Sequence, residues 1–213
     1  MSTAKEEIFA RLRNSLDDNP QPAEPVRNYR RTSNLSREET IEMLIDRLVD
    51  YKANVYRETE ETIVSRVDEL LKNASRYVVP AGINTAWLPE DTARRSRVVD
   101  SGNTQVAGAL SVEELDHMDA VVTNSTVSCA ETGTIFLNTN PDEGRRAISL
   151  IPDHHICVVK EDTVVELFPE SIERITYERP VTMFSGPSAT SDIELVRVEG
   201  VHGPRLLDVI ILK

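Results

Sequence analysis

Cysteine is scarce in these 213 residues: Cys129 and Cys157 stand alone, each within a run of small or apolar residues. Thiols placed like this argue against a disulfide framework and read as buried free cysteines. They also exclude a self-contained iron–sulfur cluster of the all-cysteine type, which needs four thiolates. Glycine-rich phosphate loops are missing. With neither a Walker pattern nor G-x-G-x-x-G, the chain does not read as an ATPase or an ordinary Rossmann dehydrogenase. Aromatic residues make up 5% of the chain, and its single tryptophan, Trp87, reads as a core or interface anchor rather than a stacking platform. Basic residues are outnumbered, with 24 Lys and Arg against 36 Asp and Glu, a net charge of -12. Phosphate backbones demand clustered cations, so no nucleic-acid partner is expected. Arg94, Arg95 and Arg97 form a local basic group that reads as a solvated loop or a single anion contact. No apolar stretch reaches the about 18 residues of a membrane helix, and Met1 to Lys5 lack a basic start leading into a long apolar run. A cytoplasmic location with no membrane span is the expectation. The four histidines, His117, His154, His155 and His202, show no metal-ligand spacing, so no metal site is expected.

What is present reads as a soluble α/β protein, 39% apolar and 28% charged. Ile8, Phe9, Leu12 and Leu16 fall at helical spacing behind a Ser2 or Thr3 cap. From Asp17 to Asn34, Pro20, Pro22 and Pro25 among polar residues describe an extended arm, one able to pack on a neighbouring copy in a homo-oligomer. Residues 1–35 are therefore read as a helix and proline-bearing arm, and 36–213 as the α/β domain. Ser36-Arg37-Glu38-Glu39 is a capping box, and Ile41, Leu44, Ile45, Leu48 and Val49 lay an apolar stripe behind it. Strands are expected near 53–56, 77–79, 98–99, 120–122, 134–137, 156–159, 194–198 and 206–212. Helices are expected at about 60–72, from Ser111, and across Val164 to Ile175 through Leu167, Phe168 and Ile172. Strands alternating with helices predict a mostly parallel sheet covered on both faces, with room for an antiparallel element at the end.

Three loops have the composition of ligand contacts. In the first, Val181 to Phe184 runs into Ser185-Gly186-Pro187-Ser188 and then Asp192 and Glu194, an apolar strand followed by small, polar and acidic residues. In open α/β sheets ligands bind where loops leave the carboxyl ends of strands, and Gly186 and Pro187 shape such an exit. The second runs from Thr123 and Asn124 to Glu131-Thr132-Gly133-Thr134, where hydroxyls and backbone donors can hold an anion or a carbonyl. Glu131 suits a base, a carboxylate nucleophile or a hydrogen-bonding anchor, and equally a carboxylate satisfied by backbone N–H groups. In the third, His202 stands in the rigid turn Gly200 to Pro204 as a proton donor or ligand contact. Glu131, Asp192 and His202 are the catalytic candidates. Thr123, Asn124, Thr132, Gly133, Thr134, Gly186, Ser188, Glu194 and Gly203 are the ligand-binding candidates. Arg146 joins them, because one of the pair Arg145-Arg146 can hold a carboxylate or phosphate bidentately while the other solvates the surface. His154 and His155 enter a strand, so one should face the core and the other solvent.

Ala130 to Thr134, Ser149 to Ile156, Gly186 to Glu194 and Gly200 to Pro204 together resemble the LUD-domain family, its lactate utilization C branch in particular, over roughly residues 36 to 213. The resemblance implies an α/β/α sandwich of the NagB/RpiA/CoA-transferase-like kind. It implies a part in oxidising L-lactate to pyruvate, with a small carboxylate ligand and partner proteins, LutA-like and LutB-like, that carry iron–sulfur clusters. No cofactor held by this chain alone is implied. The resemblance implies glycine at the position of Asn124 and an aliphatic residue at that of Cys129, so this chain departs from the family pattern at both. Glu131 in Glu-x-Gly also resembles the glutamate motif of CoA-transferases, which implies acyl transfer as an alternative, and a non-catalytic sensor or scaffold is a third.

Overall fold

The computed structural model describes residues 3–17, 19, 21–32, 34–102, 108–191, 197–200 and 202–213. Helix α1 (Ala4–Asn14) starts at a capping box in which the Thr3 hydroxyl accepts from Glu6 N and the Glu6 carboxylate accepts from Thr3 N. It buries none of its residues, and Ile8, Phe9 and Leu12 are exposed. The described residues of the arm that follows are exposed, and among them Arg30 pairs with Glu131 and Arg31 with Glu173. Helix α2 (Arg37–Asp50), capped by Ser36 and Glu39, turns Ile41, Leu44 and Leu48 into the core.

Strand and helix then alternate through β1 (Asn54–Glu58), α3 (Ile63–Leu70), β2 (Arg76–Pro80), β3 (Ser96–Asp100), α4 (Val112–Asp116) and β4 (Ala120–Thr123). A hairpin of β5 (Val127–Cys129) and β6 (Thr134–Leu137) interrupts the alternation before β7 (His154–Lys160). After it come β8 (Val164–Val165), α5 (Phe168–Glu173), β9 (Thr182–Phe184), the antiparallel pair β10 (Ala189–Ser191) and β11 (Arg197–Glu199), and β12 (Leu206–Leu212).

The main sheet has six strands in the order β1-β12-β7-β4-β2-β3, and every neighbouring pair is parallel. Such a sheet is covered on both faces, which explains the unbroken burial of β4 and the middle of β7. Alternation divides the side chains. Ile156, Val158, Ile210 and Leu212 join α3 and Trp87 on one face. Cys157, Val159, Val209 and Ile211 join α2 on the other. A four-stranded sheet, β8-β5-β6-β9, lies over this second face. Its Ile135 and Leu137 reach the α2 cluster, while Phe136 packs outward with Phe168 of α5, ring centroids 5.6 Å apart. The result is a mostly parallel, three-layer α/β fold with an added small sheet. Among the described residues no helix is long and apolar enough to cross a membrane.

The structure corrects several boundaries. Val164 to Ile175 is not one helix: Val164 and Val165 pair with β5, and α5 begins only at Phe168, with Pro169 in the first turn where its missing N–H goes unneeded. The helix expected from Glu60 starts at Ile63, and the Glu60 carboxylate instead accepts from Trp87 Nε1 at 2.9 Å. The last strand is parallel to both neighbours, so the antiparallel pairs lie in the small sheets. Of the strand expected at 194–198, residues 194–196 lie outside the described residues and the rest belongs to β11. Arg95 is no solvated loop residue: it is buried and pairs with Asp68 at 2.5 Å.

Candidate functional site

His154 and His155 look out from opposite faces of the main sheet. On the α3 face, His154 Nε2 lies 2.6 Å from Asp208 Oδ2, and Asn54 Nδ2 donates to Asp208 Oδ1 at 2.8 Å. On the α2 face, His155 is 2% exposed and forms the floor of a cavity of about 460 Å³ with its registered partner Leu207. One wall is β9 and the loop Ser185 to Ser188, the other is Arg146, Ser149 and Leu150, and His202, Gly203 and Pro204 complete the rim. The loop after Phe184 leaves the carboxyl end of its own strand, as the sequence suggests. That strand belongs to the small sheet, however, and its exit meets β7 and β12 at their amino ends, not at the carboxyl ends where open sheets usually take ligands.

Two of the loops are one structural unit. Ser188 N donates to Pro204 O at 2.7 Å, Gly200 N to Ser188 O at 3.0 Å and His202 N to Ser188 Oγ at 3.1 Å. Gly186 has φ +146°, and a Cβ there would lie 2.7 Å from Tyr51 O, so this wall rests directly on the end of α2. We expect Gly186→Val to be destabilised by about 1–3 kcal/mol, through strain and the clash together. A thermal midpoint equal to that of the wild type would refute the close approach.

The electrostatics distinguish two adjacent arginines. Arg145 turns inward: its Nη2 lies 2.7 Å from Asp100 Oδ2 and its Nε 3.0 Å from Oδ1. Burial alone would raise the Asp100 carboxyl, but Arg145 and the N–H groups of Leu110 and Gly102 outweigh it and hold the group below its ordinary value. Arg146 lines the cavity, is exposed, and has no carboxylate partner among the described residues. No acidic side chain lines the cavity among those residues, which sets it apart in a chain of net charge -12. Burial, aided by the neighbouring His154, pushes His155 down to about 3, so it is neutral at ordinary pH. Its Nε2 shares a hydrogen bond of 2.8 Å with Thr123 Oγ1, and its ring lies 5.2 Å from that of Phe184.

Arg146, Gly186, Ser188, His202 and Gly203 thus come together on the cavity. Others stand behind it. Thr123 orients His155, and the hydroxyls of Thr132, Thr134 and Ser185 form a chain with steps of 2.8 and 2.9 Å that ends on the cavity wall. Gly133, at φ +60°, packs where a Cβ would lie 2.7 Å from Arg47 Cβ. Glu131 faces away, exposed and paired with Arg30, and Asn124 donates to Asp142 Oδ2 at 2.6 Å outside the cavity. Asp192 and Glu194 lie outside the described residues. His155, Ser149, Leu150 and Leu207 are cavity residues that the loop-based reading missed. The available signal was the His154-His155 pair opening an apolar strand, but its partner Thr123 lies on another strand and only the register brings them together. Among the described residues no group of His, Cys, Asp and Glu converges to hold a metal ion. Cys129 and Cys157 are both buried and free, and burial pushes the Cys157 thiol up to about 12, so it remains protonated.

A sequence model of the LUD domain matches residues 41–212. The chain is 46% identical over 182 residues to lactate utilization protein C of Deinococcus radiodurans, a match covering 84% of this chain and 82% of that protein. It is 30% identical over 108 residues to lactate utilization protein C of Macrococcus caseolyticus, 47% of this chain and 46% of that one. A crystal structure of a DUF162 family protein from Deinococcus radiodurans superimposes with a TM-score of 0.68 at 38% identity, covering 84% of this chain and 99% of the other.

Proposed function

The chain belongs to the LUD-domain family, and from that premise we propose that it serves lactate utilization as a cytoplasmic subunit of a system oxidising L-lactate to pyruvate. Its part is to bind a small carboxylate at the amino ends of β7 and β12, with Arg146 as the anchor. The observation that carries this reading is an arginine that, among the described residues, has no carboxylate partner and sits on a cavity with no acidic side chain in its lining. Guanidinium and carboxylate match in bidentate geometry, and the hydroxyls of Ser149, Ser185 and Ser188 stand on the same walls to receive further polar atoms. The relatives' name, lactate utilization protein C, supports a part in lactate utilization. Oxidising lactate removes two electrons and two protons, and iron–sulfur partner proteins are the proposed carriers, since two buried thiols cannot hold a four-thiolate cluster. Acyl transfer through Glu131 is less favoured, because that carboxylate faces the arm and not the cavity.

Two measurements test this. Lactate-dependent electron transfer by the system co-purified from its host should fall when this subunit is left out; unchanged activity removes the subunit from the reaction. Arg146→Gln should weaken L-lactate or pyruvate binding about three- to tenfold, a modest loss because the guanidinium is exposed. Calorimetry with equal affinity for both proteins would remove Arg146 from the site.

A further inference from the structure

The cavity is larger than its proposed small ligand. A three-carbon acid occupies on the order of 100 Å³, a few times the roughly 30 Å³ share of a water molecule. The space available is about 460 Å³, within the range of sites that enclose ligands of drug size. Filled with water, it would hold on the order of fifteen molecules, many of them against walls that offer no hydrogen bond. Those walls are Leu150, Val181 and Phe184, all half-buried, with Leu207 at the floor. Arg146 is the one permanent charge on the lining among the described residues. A single cation among the described lining residues, beside a chamber that is part apolar side chains and part hydroxyls, matches a ligand with one anionic end and an apolar remainder laid on the apolar part.

We infer that the cavity accepts an amphiphilic monocarboxylate, its head on Arg146 and a medium-length aliphatic or aromatic body against Phe184, Leu150 and Leu207. This rests on the proposed function for the carboxylate anchor and goes beyond it in the size and polarity of what is bound. L-Lactate fills the head position alone and leaves the apolar walls uncovered.

The test is a chain-length series of straight-chain monocarboxylates from propionate to octanoate, kept below their micellar range and titrated calorimetrically into the full chain beside L-lactate and 1-octanol. Each methylene transferred to the cavity should tighten binding about threefold, so octanoate, five methylenes longer, should bind roughly 200-fold more tightly than propionate. Arg146→Gln should weaken all the acids by a similar factor while leaving 1-octanol unaffected. Circular dichroism of the variant checks that it is folded, and the wild-type series stands without it. Affinity that stays flat or falls beyond four carbons, with L-lactate still bound, overturns the amphiphile and leaves the proposed function standing. Equal affinity for 1-octanol and octanoate overturns the anionic head. If neither L-lactate nor any acid of the series binds, the carboxylate anchor falls, and both readings of the cavity fall with it.

Discussion

Arg145→Ala is expected to cost about 3–5 kcal/mol of stability, the range for removing one partner of a buried ion pair. Asp100 ends β3 with 1% exposure, and its oxygens accept from Gly102 N at 2.8 Å, Leu110 N at 3.0 Å and Arg145. Without the guanidinium the carboxylate keeps two backbone donors but loses its counter-charge, and Leu110 O also loses a donor. In a chain of this length the loss lowers the thermal midpoint by on the order of 10 °C. The double substitution Arg145→Ala, Asp100→Asn should recover part of it, because the stranded charge is gone. Urea titrations that put Arg145→Ala within 1 kcal/mol of the wild type would show that the pair is not structural. The pH dependence has a definite sign. The folded state lowers the Asp100 value below 3.8, so this contribution is present above that pH and is lost as acid protonates the folded carboxylate.

His155 should make the fold sensitive to much milder acid. Burial takes its value from 6.5 to about 3, so the unfolded chain binds a proton that the folded chain refuses throughout that window. Stability is unaffected above about pH 6.5 and falls by about 1.4 kcal/mol per unit below it. By pH 4.5 the accumulated loss is about 2–3 kcal/mol. Its cause is the fixed position of the ring, which is packed against Phe184, bonded to Thr123 and sealed under the cavity. His155→Asn should start from a lower stability at pH 8 yet lack this slope. Urea midpoints measured from pH 8 to 4.5 decide the matter: equal slopes in both proteins would mean that the proton is taken up elsewhere. Acid should also impair the cavity, since a charged imidazole cannot remain on its floor.

The elements that the sequence made legible are those with local causes. Ser36 and Ser111 cap their helices through residues three positions away, and the apolar runs of β4, β7 and β12 announce strands buried on both faces. Val164 and Val165 were illegible because their environment is a strand 36 residues earlier, and helical spacing imitated the stripe they form with Leu167 and Phe168. The site was half legible for the same reason. Gly186, Ser188 and His202 show themselves by turn chemistry, and Arg146 by its charge. His155 becomes a cavity residue only through the pairing of β7 with β12 and β4. Glu131, an acid among small residues, had the composition of a reacting group, but its partner Arg30 lies on an arm whose placement no local pattern encodes.

Helix α2 acts as a strut. Gly133 leans on Arg47 and Gly186 on Tyr51, so the backs of two loops bear on its final turn and C-cap. The arm clasped to Glu131 and Glu173 feeds directly into the other end of the same helix. The helix that lies between the arm and the wall of the cavity is about 20 Å long, at 1.5 Å per residue. One wall of the cavity and the proline-bearing arm thus share a single support in the fold.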